Sequence, residues 1–154
     1  MFYVVVYLLA WLCGFLYFRL GSLTSFVESE ALAHLVIGVG LFGLWNFVGH
    51  FILSKRVAES IGWASNGFQK ELGLVSLGIG VSGILCYWFR SGFWWATAIP
   101  FSTFLLGAAI LHVVEMIKEH NFNPGNTWII IPDILMPATV LVFLALNSSR
   151  SIAS

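Results

Sequence analysis

ALAHLVIGVGLFGLWNFVGHFIL, residues Ala31–Leu53, decides the fold: it contains no Asp, Glu, Lys or Arg. About 20 predominantly apolar residues suffice for a helix to cross a bilayer, and this run exceeds that. Four more runs flank it: Phe2–Phe18, Leu72–Phe89, Phe93–Ile117 and Ile129–Leu146. The chain is 59% apolar and 9% charged, where a soluble domain carries about 25% charged residues. These observations predict an all-α integral membrane protein, a single membrane domain over 1–154 built as a bundle of about five transmembrane helices. The five runs use up nearly the whole chain, which leaves no room for a separate soluble domain. A net charge of zero gives no reason to expect nucleic acid as a partner.

Phe2–Phe18 lacks the basic leader and small-residue cleavage site of a signal peptide, and reads as an uncleaved first span. Cys13 and Cys86 both fall in spans, as small packing residues do. They imply no disulfide framework.

Five crossings fix which loops share a side. Met1, the loop Ser54–Lys70 and the loop Lys118–Trp128 fall on one side. Arg19–Glu30, the turn Arg90–Gly92 and Asn147–Ser154 fall on the other. Basic residues favour the first side by four (Lys55, Arg56, Lys70, Lys118) to three (Arg19, Arg90, Arg150). The positive-inside rule then places the N-terminus in the cytoplasm.

Small residues mark close helix packing, because helices in lipid associate by shape rather than by hydrophobic force. Gly73, Ser76, Gly80 and Gly83 share a helical face. Gly38, Gly40 and Gly43 cluster in the second run, and Gly107, Ala108 and Ala109 in the fourth. Tyr3, Tyr7, Trp11 and Phe15 recur at every fourth position, a stripe facing lipid or a neighbouring helix. Pro100 and Pro137 predict kinks, and Pro132 suits a first turn. Asn121–Asn126 is a dense turn signal. Ser65 or Asn66 is the expected cap of the helix leading into Glu71.

The same parity gathers ionisable residues. His50, near the end of the second run, falls on the first side at about 28 Å along its helix. Glu71, His112, Glu115 and Asp133 fall at the same level, as do Glu59 and His120 in the adjoining loops. Ionisable groups at membrane depth are costly and mark functional sites by default. The candidate ligand- or proton-binding set is His50, Glu59, Gln69, Glu71, His112, Glu115, Asn126 and Asp133. Histidine and carboxylate together suit a metal, with His112, Glu71 and Asp133 as its ligands, or a proton relay. No HExxH or CxxC motif is present, so a metal would rest on convergence alone, and no cofactor is indicated. His50 and His112 could bracket a haem, without other support. Asn46 and His50 at i, i+4 are expected to orient one another. On the other side, Glu30 and His34 at i, i+4 form a local pair.

Ala58–Trp63, Gly67–Gly73, Phe93–Thr97, His112 with Met116, and Asn121–Asn126 leading to Asp133 form a distinctive set. Over Val57–Pro137 it resembles a family of small bacterial multi-pass membrane proteins classed as a domain of unknown function of the 6790 type. The family's loop reads AESIGW, a proline, a short variable stretch closed by Ser or Asn, a second proline, then F-Q-x-E-(V/L)-G. Ala64 and Gly67 replace its two prolines here, which implies a less rigid loop. The resemblance implies that Glu59, Trp63, Phe68, Gln69, Glu71, His112, Asn121, Asn126 and Asp133 are motif positions, and it supplies no activity.

Three functions fit the sequence. The favoured one is a binding or transport protein for a small polar solute, proton or cation, with an ionisable pocket near one membrane face. A structural or accessory subunit of a larger membrane complex, or a homo-oligomer, is the alternative. A small membrane-embedded metal-dependent enzyme is the third, with no nucleophile motif behind it.

Overall fold

The computed structural model describes residues 2–21 and 25–153, the last four of these by backbone alone. Met1, the centre of the first loop and the Arg150 side chain lie outside this description. The elements are α1 (Phe2–Arg19), α2 (Phe26–Ala33), a π-helical segment (His34–Val39), α3 (Gly40–Phe47), a second π-helical segment (Val48–Ile52), α4 (Ser54–Ile61), α5 (Gly67–Leu85), α6 (Gly92–Lys118), α7 (Pro124–Trp128) and α8 (Ile130–Ala153). Among the described residues there is no strand.

The segment Phe26–Ile52 runs as one rod of 27 residues, about 40 Å long. It begins at Phe26 rather than Ala31 because Ser25 caps it: the Ser25 hydroxyl accepts from Glu28 N–H at 3.1 Å. A serine with a glutamate three residues on is the sequence form of a capping box. The earlier start draws Glu28 and Glu30 into the helix. The two π-helical segments carry no sequence signal that periodicity could have found.

Four helices are long and apolar enough to cross a membrane: Phe2–Arg19, Phe26–Ile52, Gly92–Lys118 and Pro124–Ser149. The remaining long helix, α5, has 19 residues. It starts at Gly67 rather than Leu72, so Gln69, Lys70 and Glu71 occupy its beginning. Asn66 is its cap, accepting from Gln69 N–H at 3.3 Å. The all-α bundle expected from the apolar runs is thus observed, with α5 outside the four helices that meet the length and apolarity of a membrane span.

Glycine sets how α5 lies on the rod. Cβ atoms placed on Gly73, Gly80 and Gly83 would meet Phe51 N at 2.9 Å, Leu44 N at 2.8 Å and Leu35 O at 2.9 Å. These contacts make α5 antiparallel to the rod along its full length. The small residues of α6 behave differently: Gly107 faces open space, Ala108 lines a cavity and only Ala109 is buried.

The aromatic stripe of α1 turns inward for three of its four members. Tyr3 packs on Phe42, Tyr7 meets His34, and Trp11 meets His34 and Phe143; Phe2, beside the stripe, stacks on Trp45 at 4.3 Å. Phe15 is 49% exposed, and Gly14 takes the inward place. A four-residue step overshoots a 3.6-residue turn by roughly 40°, so the stripe drifts off the face over its length.

These pairings define two ends. The near end holds Tyr3, Asn46, His50, His112 and Asp133. The far end holds Phe18, Phe26, Glu30, Arg90 and Trp94. Trp94 Nε1–H donates to Cys86 O at 2.9 Å, and Trp95 Nε1–H to Ser148 Oγ at 3.1 Å, closing α5, α6 and α8 there. Cys13 and Cys86 are free thiols.

Candidate functional site

At the near end the helices do not close. A cavity of about 530 Å³ lies among α1, α3, α6 and α8, with α4 and α7 across its mouth. Phe2, Tyr3, Phe42, Trp45, Phe104 and Trp128 give it aromatic walls; Asn46, His50, His112 and Asp133 give it a polar pole. The two short helices grip one another. Asn121 Nδ2–H donates to Ile61 O at 2.7 Å, and Gly125 lies directly on Ser60 O. Gly62 ends α4 at φ 76°, a left-handed conformation that glycine adopts without strain.

His112 is held by Asn126. The Asn126 amide group donates to two carbonyls, His112 O at 3.2 Å and Asn121 O at 3.0 Å. Its oxygen therefore faces His112 Nδ1, 2.7 Å away, so Nδ1 must carry the hydrogen. In the neutral ring, Nε2 then presents a lone pair. That atom points to Asp133 Oδ2 at 4.0 Å. Trp63 stacks on the other side of the ring at 5.5 Å. Asp133 is only 4% exposed and stands in the first turn of α8, where the helix dipole favours negative charge.

His50 reaches the same cavity, and its Nδ1 is buried without a hydrogen-bond partner. The expected Asn46–His50 pairing is corrected. Asn46 accepts from Tyr3 OH at 3.0 Å and donates to Ser76 Oγ at 2.8 Å, so both ends of its amide are committed elsewhere. The second π-helical segment contains His50, and its wider turn displaces that side chain from the row of Asn46.

Of the eight candidates, His50, His112 and Asp133 share the cavity, and Asn126 braces it. Glu115 lines a neighbouring open cleft with Glu119, His120 and Asn123, because an i+3 step leaves it roughly 60° round the helix from His112. Gln69 is spent on structure, donating to Ser54 O at 2.8 Å. Glu59 and Glu71 are exposed. The trio His112, Glu71 and Asp133 is therefore not assembled. Among the described residues no three His, Cys, Asp or Glu side chains are grouped closely enough to hold a metal ion.

At the far end Glu30 and His34 do pair, with Nδ1 to Oε2 at 3.5 Å. They are buried at 0% and 1% exposure, far deeper than a loop-side pair. The missed signal was Ser25, whose cap carries the helix back past Glu30.

The model of one protein family, a "Family of unknown function (DUF6790)", matches residues 1–152. The chain belongs to this family. The match extends the Val57–Pro137 resemblance to α1, the rod and α8. The DUF6790 region thus includes both the cavity and the Glu30–His34 pair. No curated protein and no solved structure matches the chain.

Proposed function

We propose that the bundle lies in a bilayer and that its near-end cavity binds a small solute with a hydrogen-bond-donating head, an ammonium or a hydroxyl, on an apolar body. The observation that supports this is the 4.0 Å gap between His112 Nε2 and Asp133 Oδ2. With His112 neutral and Asp133 ionised both atoms are acceptors; an ammonium seated beside the gap donates to both, and a hydroxyl donates to one of them. His50 Nδ1, buried at the same cavity without a partner, adds a third polar atom to this pole. The aromatic walls suit the apolar body, and their faces also favour a cation.

The test is thermal unfolding of the detergent-solubilised protein with primary alkylamines and matched alkanols of increasing chain length. At ten times its Kd, a bound member raises the midpoint by roughly 3–5 °C. His112→Gln and Asp133→Asn abolish that shift. A series in which no member shifts the midpoint, or a shift that survives both substitutions, contradicts the proposal.

A further inference from the structure

A second site lies sealed at the far end, between α1, α2 and α8. The Glu30 carboxyl group rests on the backbone of Gly14, where any side chain would overlap it. Neither Glu30 oxygen has a hydrogen-bond partner, and neither does His34 Nε2. His34 Nδ1 lies 2.9 Å from Glu30 O, which fixes the hydrogen on Nδ1 and leaves Nε2 bare in the neutral ring. The imidazole sits among the rings of Tyr7, Trp11 and Phe143 at 5.8, 5.0 and 5.6 Å.

Among the described side chains none supplies a counter-charge to the pair. From α1 come Tyr7, with its hydroxyl and Thr139 Oγ1 3.0 Å apart, and Cys13 and Tyr17 in an adjoining cleft. The α8 neighbour is Phe143. From α5, Cys86 turns its thiol to Thr97. Arg90 is engaged by Glu28 at 3.5 Å. An isolated ion in such a setting costs far more than a neutral group. One proton, on the Glu30 carboxyl or on His34 Nε2, brings the pair to neutrality. The π-helical segment begins at His34, and such turns frequently occur at functional sites.

We propose that Glu30 and His34 together hold one exchangeable proton, forming a proton-binding site separate from the near-end cavity. Two side chains alone, walled by rings, offer too few ligands for a metal or alkali cation.

Infrared difference spectra of the protein in lipid, recorded across pH in H₂O and D₂O, test this. Nitrogen NMR of histidine-labelled wild-type protein reads the imidazole in parallel, and needs no variant to fold. Either a protonated carboxyl band that moves in D₂O and is lost in Glu30→Gln, or an imidazolium signal lost in His34→Gln, is expected. His34→Gln should also displace any Glu30 band. A Glu30 carboxylate beside a neutral His34 at every pH at which the protein stays folded overturns the proposal, as does a carboxyl band removed by NaCl or KCl at fixed pH. The latter result would make the pair a cation site.

Discussion

The rod Phe26–Ile52 contains two histidines, each in a π-helical segment, and they meet opposite fates. His50 reaches a cavity, half-buried, with an unpartnered nitrogen. His34 is locked against Glu30 and three aromatic rings. The histidines themselves do not decide this; their neighbours do. At the far end Gly14 lets α1 approach until the Glu30 carboxyl touches backbone. At the near end the large rings of Phe2, Tyr3, Phe42 and Trp45 line a cavity whose α6 wall includes the small Ala108. Close approach makes a dry pair and bulky walls make a cavity, although both stretches read alike as apolar sequence.

The largest expected effect lies in the brace of the open end. Asn126→Ala removes three hydrogen bonds and leaves His112 Nδ1 without its acceptor. It should lower stability by about 3 kcal/mol and also remove ligand-induced stabilisation, both measured by denaturation with and without the bound amine or alkanol. Loss of the ligand effect without loss of stability would show that Asn126 touches the solute rather than positioning His112.

At the sealed end, Gly14→Ala forces a methyl group into the Glu30 carboxyl and should cost about 2 kcal/mol by overpacking. Its counterpart Gly107→Ala meets nothing within 4 Å and should stay within about 0.5 kcal/mol. Equal effects in the two variants would erase the contrast between the ends. Asp133→Asn is expected to change stability by less than about 1 kcal/mol while abolishing ligand binding, since its carboxylate faces the cavity. The smallest effect belongs to Glu59→Gln and Glu71→Gln, both exposed and expected within about 0.5 kcal/mol in the same measurement. A larger loss there would return these carboxylates to the site.

The sequence made the bundle legible because apolar run length reports helix existence directly. Parity along those runs also brought His50, His112 and Asp133 to one end. Parity sets depth but not azimuth, so it could not separate Glu115 from His112 on one helix, or Glu71 from the cavity. The Asn46–His50 expectation failed because a π-helical turn shifts register without any residue announcing it. The α1 stripe was visible, but its inward direction was not, since four-residue spacing gives a face and not the neighbour beneath it. Glu30 looked peripheral only because the cap at Ser25 lengthens the helix beyond the apolar run.

The open-versus-sealed contrast is tested most directly by diethyl pyrocarbonate labelling of the four histidines in folded protein, read by mass spectrometry over time. Exposed His120 should react fastest, His50 and His112 more slowly through the cavity, and His34 only after denaturation. His34 labelled as quickly as His50 in the folded protein would contradict the account.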